Sequence, residues 1–249
     1  MRSFPGATRG GDDDPNAMRC AVIIPAAGSG TRFGGDLPKQ FLPLGGRPLI
    51  AHTIGRFHRH ASVERIVVCV SPDHLATMQE IADHFRWGNV KIVRGGESRQ
   101  ESVLRGVESL TRAGLTDDSI VAAHDAVRPF VSAGLIDRLL ESLANADGAI
   151  PAMMPTETIH RIDGGVVVET PDRSLLAAAQ TPQCFRLGVL RAALSRAVDE
   201  GWPTTDEAAA VARNGYRVHV IDGDPRNIKI TRPVDFENAA RELANWSDE

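Results

Sequence analysis

The sequence predicts an α/β fold with a mostly parallel, twisted sheet and helices on both faces. Short apolar runs alternate with segments of helical periodicity, which is the pattern of successive strand–helix–strand units. A glycine-rich loop directly follows the first apolar run, where open sheets of this kind bind ligands. The chain has 249 residues, 42% of them hydrophobic, enough to fill the core of one domain.

Residues 1–18 differ in composition from the rest. They are rich in Gly, Asp, Pro and Arg and contain no apolar segment, so they do not resemble a secretory signal. Met18 stands just before the first apolar run. We expect residues 1–18 to be a disordered extension or a cloning remnant, and residues 19–249 to form a single domain.

The first half of the chain follows the strand–helix alternation closely. Strands are expected at residues 20–25, 65–70, 90–93 and 119–123. Helices are expected from residue 48 onward, at residues 72–85 and at residues 98–115. The last of these helices opens with a Ser-x-x-Glu pattern, Ser98 to Glu101, which is a capping signal.

The second half interrupts this alternation once. A helix at 132–145 and a strand at 148–153 continue it, and then residues 159–162 and 166–169 flank Gly164-Gly165 as a hairpin. We expect an inserted β-arm at about 156–179 that packs on a partner subunit. The alternation resumes with helices at 185–200 and 206–213, a strand at 216–221 and a helix at 233–246.

Composition excludes several classes of protein. The formal net charge of -4 argues against a nucleic-acid partner, which would need a basic face. Three scattered cysteines without a CxxC pair indicate reduced thiols in a cytoplasmic protein. No apolar run reaches the ~20 residues of a membrane span, so no membrane partner is expected.

The loop after the first strand, residues 26–34 (AAGSGTRFG), is the strongest local signal. Glycines let the backbone approach a phosphate closely, and successive N–H groups can bind an anion. Arg32 and Lys39 add two cations that could clamp a triphosphate. The loop matches neither G-x-x-x-x-G-K-[ST] nor G-x-G-x-x-G, so it lacks the fingerprints of P-loop and dinucleotide-binding proteins. An ordinary glycine turn remains the alternative.

The fourth strand ends in His124-Asp125, followed by Arg128. An aspartate at the carboxyl end of a central strand is well placed to bind Mg²⁺, which prefers carboxylate and phosphate oxygens. Capping of the next helix is the alternative for Asp125. Arg128 can meet a phosphate or pair with a carboxylate, and we expect His124 to be a core residue without a chemical role.

Further polar positions carry weaker signals when each is taken alone. Arg173 follows the hairpin, Thr181 precedes a helix, and Lys229 lies in a short extended run. Thr205 stands where a helix begins, so it either caps that helix or binds a ligand.

Taken in order, these segments resemble the 2-C-methyl-D-erythritol 4-phosphate cytidylyltransferase family of isoprenoid biosynthesis. The resemblance covers the chain from about residue 19 to 244. It is carried by AAGSGTRFG at 26–34, PKQF at 38–41, GGESRQESV at 95–103, HDAVRP at 124–129, PDR at 171–173, TPQ at 181–183, TDEA at 205–208 and NIKITRP at 227–233. It implies a Rossmann-like fold of the nucleotide-diphospho-sugar transferase type. It also implies transfer of CMP from CTP to 2-C-methyl-D-erythritol 4-phosphate, with release of pyrophosphate.

The resemblance also implies a role for each candidate residue. Arg32 and Lys39 would grip the triphosphate, while Arg173 and Lys229 would aim the substrate phosphate at the α-phosphorus. The cytidine would be bound by Ala26, Ala27, Gly28, Gly96, Glu97, Ser102 and Asp125, and Asp125 alone among these would also bind Mg²⁺. The methylerythritol phosphate would be bound by Arg128, Thr158, Thr181 and Thr205.

The family's arm reaches across a homodimer, so Thr158 and Arg173 are expected to serve a neighbouring subunit's site. Three alternatives to this assignment remain. A ribitol-5-phosphate cytidylyltransferase shares the loop logic, but the AAG, TDEA and NIKITRP segments match the methylerythritol family better. A catalytically inactive nucleotide-binding protein would be expected to lack Arg32, Lys39, Asp125 or Lys229. A dinucleotide-dependent oxidoreductase would need the missing glycine fingerprint.

Overall fold

The computed structural model describes residues 18–28 and 37–246 of the chain. The strands of this part are β1 Cys20–Ala26, β2 Pro43–Leu44, β3 Arg47–Pro48, β4 Val63–Val70, β5 Val90–Arg94, β6 Ile120–Ala123, β7 Gly148–Met153, β8 Arg161–Asp163, β9 Val166–Glu169, β10 Ala178–Ala179, β11 Gln183–Arg186 and β12 Val218–Asp222. The α-helices are α1 Leu49–Arg59, α2 Leu75–His84, α3 Arg99–Arg112, α4 Ala133–Ser142, α5 Leu187–Asp199, α6 Glu207–Arg213 and α7 Pro233–Asn245.

The central sheet is mixed, with a parallel core. Its strands run in the order β5–β4–β1–β6–β11–β7, and β12 and β10 each pair with β7. The pairs β5–β4, β4–β1, β1–β6 and β7–β12 are parallel, while β11 is antiparallel to both of its neighbours. Parallel strands need helical crossovers, which is why helices cover both faces.

Alternate residues of β1 show how the two faces are filled. Val22 and Ile24 pack with α1, α2 and α4 on one face, and Ala21 and Ile23 pack with α3, α5 and α6 on the other. These side chains are at most 2% exposed. A strand buried on both faces reads as a continuous apolar run, which is the pattern that predicted it.

The predicted arm is present as a two-stranded hairpin outside the central sheet. β8 and β9 pair antiparallel across Gly164 and Gly165, whose φ angles of 52° and 82° are those that a tight hairpin turn requires. Every residue of both strands is exposed, including Ile162 and Val166 at 65% each. The first strand begins at Arg161 rather than at Ile159, so the paired part of the arm is shorter than predicted.

One element was assigned wrongly from the sequence. Helical periodicity was expected from Phe185, but residues 183–186 form β11 and the helix begins only at Leu187. Cys184 and Phe185 are buried between β6 and β7, and this tertiary pairing outweighs the apolar spacing that Phe185 shares with the helix. β11 and the short β10 are the strands of the described residues that make the sheet mixed.

Helix ends differ from the predictions by a few residues. The helix expected at 98–115 is α3, with Ser98 as its N-cap, and the side chain of Ser98 accepts a hydrogen bond from the Glu101 N–H. Glu101 does not complete a capping box, because its carboxylate accepts from the Glu97 N–H. At α6 the cap is Asp206, not Thr205, since Asp206 accepts from the Ala209 N–H.

The terminal helix α7 packs beside β2 and the loop that follows β6. It packs in a third apolar cluster with Leu44, Leu49, Phe130 and Ile230. Within the described part of the chain, no helix combines the length and apolarity needed to cross a bilayer. Residues 1–17 lie outside the described residues, so the expected extension stays a prediction.

Candidate active site

A cleft of about 310 Å³ opens at the carboxyl ends of β1, β5 and β6. The order of the strands reverses beside β1, and this is where open α/β sheets bind ligands. The sequence-predicted residues that line it are Ala26, Ala27, Gly28, Lys39, Gly96, Glu97, Ser102, Asp125 and Lys229. Segments separated by up to about 200 positions in the chain therefore meet in one place.

Gln40 fixes the chain at the end of β1 and at Gly28, the last described residue before position 37. Gln40 is buried and donates from its amide to the carbonyl oxygens of Ala26 at 2.8 Å and Gly28 at 3.0 Å. Gly95 allows the loop after β5 to approach this one, because a Cβ at Gly95 would lie 2.6 Å from the Cβ of Ala27. These contacts shape a narrow slot between the two loops.

The loop after β5 is fixed by the start of α3. Ser102 is buried, and its hydroxyl accepts from the Gly96 N–H at 3.0 Å and donates to the Ser98 carbonyl at 2.9 Å. Gly96 packs directly against Glu101, which leaves no room for a side chain at position 96. Ser102 therefore shapes the loop rather than offering a free hydroxyl to a ligand.

Asp125 lies at the centre of the cleft, and three cations surround its carboxylate. Oδ1 accepts from Arg99 Nε at 3.1 Å, and Oδ2 lies 2.9 Å from Lys229 Nζ and 3.4 Å from Arg128 Nε. Burial alone would raise the pKa of Asp125, but the charges of Arg99 and Lys229 outweigh it and hold that pKa well below its ordinary value. Asp125 is thus ionised at any physiological pH.

A hydrogen-bonded chain behind Asp125 fixes its backbone. The Asp125 N–H donates to Thr181 Oγ1 at 3.1 Å, and Thr181 Oγ1 lies 3.1 Å from His124 Nδ1. His124 Nε2 lies 3.0 Å from the carbonyl oxygen of Arg128, which can only accept, so Nε2 carries the proton and Thr181 donates to Nδ1. Burial lowers the pKa of His124 to about 4, which keeps the ring neutral.

Lys229 is positioned by an extended segment, residues 227–231, that runs along the cleft. The carbonyl of Asn227 accepts from Arg128 Nη1 at 2.7 Å, and the Ile230 N–H donates to the Val127 carbonyl at 3.0 Å. Lys39 Nζ donates to the Ile230 carbonyl at 2.9 Å. Lys229 therefore belongs to this segment, and Lys39 is hydrogen-bonded to it.

Arg99 joins the cleft to a carboxylate buried beneath it. Its Nε donates to Asp125, and its Nη1 donates to Oε1 of Glu207. Glu207 is the first residue of α6. Glu207 is 1% exposed. Burial raises the pKa of Glu207, and the positive charge of Arg99 offsets part of that effect.

Several predicted residues do not line this cleft. Arg128 and Thr181 are buried behind Asp125, and their polar groups bind the protein itself. Thr205 is exposed just before α6. Thr158 and Arg173 belong to the arm region, where Arg173 is exposed and donates to the Thr156 carbonyl at 2.9 Å. Arg32 lies outside the described residues.

Four side chains of the site were not singled out from the sequence. Arg99 and Glu207 form the buried ion pair, Gln40 supports the glycine loop, and Asn227 donates to the Thr181 carbonyl at 2.8 Å. All four fall inside the segments that carried the family resemblance. Arg99 is the first residue of α3, where a positive charge is unfavourable because of the helix dipole. This unfavourable position is the one local feature of the sequence that points to a special role for Arg99.

The arrangement suits the handling of an anionic ligand. Two lysines and two arginines face or support the cleft, against the carboxylates of Glu97, Asp125 and Glu207. The cations therefore outnumber the carboxylates by one here, although the chain is acidic overall. The described residues hold no cluster of three or more His, Cys, Asp or Glu side chains that could bind a metal by themselves. One carboxylate fits a Mg²⁺ ion that enters with a phosphate ligand, because Mg²⁺ commonly uses one or two carboxylates plus phosphate oxygens.

Comparison with known proteins supports the same interpretation. A sequence model of the family described as 2-C-methyl-D-erythritol 4-phosphate cytidylyltransferase matches residues 20–244. A relative of that name from Cereibacter sphaeroides is 44% identical over 227 residues, covering 91% of this chain and 98% of its own. Another from Geotalea uraniireducens is 40% identical over 221 residues, covering 88% and 94%.

Solved structures agree with these sequence matches. The crystal structure of 2-C-methyl-D-erythritol 4-phosphate cytidylyltransferase from Francisella tularensis superposes with a TM-score of 0.78 at 31% identity. The match covers 90% of this chain and all of that one. The crystal structure of the protein of the same name from Thermus thermophilus gives a TM-score of 0.74 at 32% identity, covering 92% of this chain and all of that one.

Proposed function

This chain belongs to the 2-C-methyl-D-erythritol 4-phosphate cytidylyltransferase family, and we propose that the cleft around Asp125 is its active site. The enzyme transfers CMP from CTP to 2-C-methyl-D-erythritol 4-phosphate in the non-mevalonate isoprenoid pathway. The products are 4-diphosphocytidyl-2-C-methyl-D-erythritol and pyrophosphate. The observation that supports the location is the convergence of Lys39, Arg99 and Lys229 on one cleft, which also contains the ionised Asp125.

The cytidine is proposed to occupy the slot between the loops after β1 and β5. Ala26, Ala27 and Gly28 form one wall, and Gly96 and Glu97 form the other. Small residues on both walls admit a flat base, and the backbone groups of the loops can read its edge. Ser102 contributes by holding the second wall, and Asp125 would lie beside the ribose.

Chemistry at the α-phosphorus requires positioning and positive charge more than proton transfer. The substrate phosphate is already an anion near neutral pH, so one of its oxygens can attack without a general base. A bond forms between that oxygen and the α-phosphorus, and the bond from the α-phosphorus to the bridging oxygen breaks as pyrophosphate leaves. The enzyme has to overcome repulsion between two anions and to stabilise the charge on the leaving group.

Lys39 and Arg32 are the proposed cations for the triphosphate. Lys39 lines the cleft, and its ammonium is already oriented by the Ile230 carbonyl. Arg32 lies in the loop at 26–34, outside the described residues, and its role rests on the family motif. Preorganised charges of this kind stabilise a transition state without reorganising during the reaction.

Lys229 and Arg173 are proposed to orient the attacking phosphate. Lys229 lies in the cleft beside Asp125, whereas Arg173 lies on the arm. We therefore propose that Arg173, together with Thr158, completes the site of a second subunit in a homodimer. Thr205, Thr181 and Arg128 are proposed to bind or support the methylerythritol phosphate.

Mg²⁺ is the proposed divalent cation, bound by Asp125 and the triphosphate. When bound, it would neutralise phosphate charge and polarise the α-phosphoryl group. The free thiols of Cys20, Cys69 and Cys184 support the proposal of a reducing, cytoplasmic location.

Release of pyrophosphate tests the proposed function directly. Purified enzyme with CTP and Mg²⁺ is expected to release pyrophosphate only when 2-C-methyl-D-erythritol 4-phosphate is added. Ribitol 5-phosphate in its place should give little turnover, and preference for it would reassign the substrate. No turnover with either sugar phosphate, from folded protein that binds CTP, would indicate an inactive nucleotide-binding member of the fold.

A further inference from the structure

Glu207 is a fully buried carboxylate that touches the cleft only through another residue. It begins α6, is 1% exposed, and pairs through Oε1 with Nη1 of Arg99. Its other oxygen, Oε2, has no hydrogen-bond partner among residues 18–28 and 37–246. A buried carboxylate is costly unless it is paired, so the contact with Arg99 is what makes Glu207 tolerable at this position.

Arg99 transmits this contact to Asp125. The two oxygens of Asp125 are held differently: Oδ2 is approached by Lys229 and Arg128, while Oδ1 accepts from Arg99 Nε alone within the described part of the chain. The rotation of the carboxylate plane therefore depends on the position of the Arg99 guanidinium. That guanidinium is itself held at its far end by Glu207.

The charges argue against a phosphate-binding role for Arg99. Its single positive charge is shared between two carboxylates, those of Asp125 and Glu207. Its side chain is also only 28% exposed, compared with 43% for that of Lys229. A guanidinium that bridges two carboxylates fixes their relative orientation, and little of its charge is left to attract a further anion.

We propose that Glu207 is a positioning residue that acts through Arg99 to fix the orientation of Asp125 in the active site. The proposal rests on the function given above, because it needs Asp125 to face the nucleotide. Glu207 touches no substrate in this arrangement. Its effect reaches the reaction only by way of the Arg99 guanidinium.

The first test is kinetic and uses Glu207→Gln, which keeps the size of the side chain and one acceptor oxygen. We expect kcat to fall about 10- to 100-fold, because a small misplacement of a group at the reacting centre is costly. The KM for CTP should change by less than about threefold, since the loops that contact the base are unaltered. Thermal unfolding of the variant, followed in parallel, is expected to remain cooperative.

The second test is a double-mutant cycle with Arg99→Gln. If Glu207 acts through Arg99, adding Glu207→Gln to Arg99→Gln should change kcat by less than about twofold. If the kcat losses of the two single substitutions multiply in the double variant, the proposal is overturned. A near-normal kcat in Glu207→Gln alone would also overturn it. Glu200→Gln is the matched control, because Glu200 also pairs with an arginine, Arg196, but at the exposed C-terminal end of α5.

The outcomes separate this proposal from the proposed function. A wild-type enzyme without pyrophosphate release would refute the proposed function, and the positioning role, which depends on that function, would be refuted with it. An active wild type together with an equally active Glu207→Gln would refute only the positioning role. A rise in the KM for CTP at unchanged kcat would likewise overturn it, because that pattern indicates lost ground-state binding rather than misplaced chemistry.

Discussion

At the scale of single residues, the two lysines of the cleft are held in place by the protein itself. Lys229 is held by Asp125, and Lys39 by the Ile230 carbonyl. Long flexible cations lose rotamer freedom when they bind, and holding them beforehand reduces that loss at the moment of substrate binding. The enzyme thus uses folding free energy to orient charges that would otherwise repel one another.

Lys39 offers the most direct test at this scale. Replacement of Lys39 by Ala should lower kcat by roughly 10²–10³-fold, about 3–4 kcal/mol of transition-state stabilisation, by analogy with a lost oxyanion donor. The fold should survive, because Lys39 lies at the edge of the cleft rather than in the apolar core. Steady-state pyrophosphate release and circular dichroism would measure the two effects.

Lys91→Ala is the control for that substitution. Lys91 lies on β5 and does not line the cleft, so its loss removes the same charge elsewhere on the molecule. Its kcat should stay within about twofold of wild type. Near-normal turnover of Lys39→Ala, or an equal loss in Lys91→Ala, would contradict a specific role for Lys39.

Sequence motifs predicted those residues of the cleft that lie within a recognisable short motif. Lys39, Asp125 and Lys229 each lie in a short run whose pattern indicates a site, and all three line the cleft. The pair of Arg99 and Glu207 was not predicted, because its members are separated by 108 positions and only the tertiary fold brings them together. Their contact is invisible to any local pattern.

At the scale of elements, α3 approaches β1 unusually closely. Gly106 of α3 faces Ile23 of β1, and a Cβ at Gly106 would lie 2.5 Å from Cγ2 of Ile23. Ile23 is fully buried, so it has little room to move. The close approach matters for the site, since α3 carries Arg99 at its first position and Ser102 one turn later.

Gly106→Ala should therefore destabilise the protein although alanine is the better helix former. The gain in helix propensity is about 1 kcal/mol, and the cost of overpacking a tight core is about 1–3 kcal/mol. We expect the free energy of unfolding to fall, by up to about 2 kcal/mol, in denaturant titrations. No loss of stability would mean that α3 can shift away from the sheet.

Gly134→Ala provides the matched control on another helix. Gly134 lies in the first turn of α4, and the nearest atom to a new Cβ there is Nη1 of Arg138 at 3.9 Å. The substitution should raise the free energy of unfolding by about 0.5 kcal/mol through helix propensity and reduced freedom of the unfolded chain. A loss at Gly134 equal to that at Gly106 would point to a general effect of alanine rather than to packing.

Element prediction succeeded where local pattern and tertiary role agree. β1, β4 and β7 are buried runs of β-branched and small residues, and each was expected within two residues of its observed ends. β11 was missed because its four residues precede a helix with similar apolar spacing. Its strand character comes from pairing with β6 and β7, which no local window of sequence contains.

At the scale of the whole molecule, the exposed arm has the composition of an interface. Its exposed apolar residues include Ile162, Val166, Val167, Val168 and Leu175, with Leu175 at 83% exposure. Large exposed apolar side chains that are concentrated in one segment commonly mark a site of protein association. Because Arg173 belongs to the same region, dimer formation and completion of the active site are proposed to be one event.

Complementation between two inactive variants tests this idea. Consider a heterodimer of one Lys229→Met subunit and one Arg173→Ala subunit. If each site is built from both chains, one of its two sites is intact. That site is the cleft of the Arg173→Ala subunit, which keeps its own Lys229 and receives Arg173 from its neighbour. Coexpressed variants should therefore regain about a quarter of wild-type activity, since half of the dimers are mixed and half of their sites are intact. If Arg173 served its own chain, every site would carry one defect and no activity would return. Separately purified variants, each nearly inactive, give the baseline for the comparison.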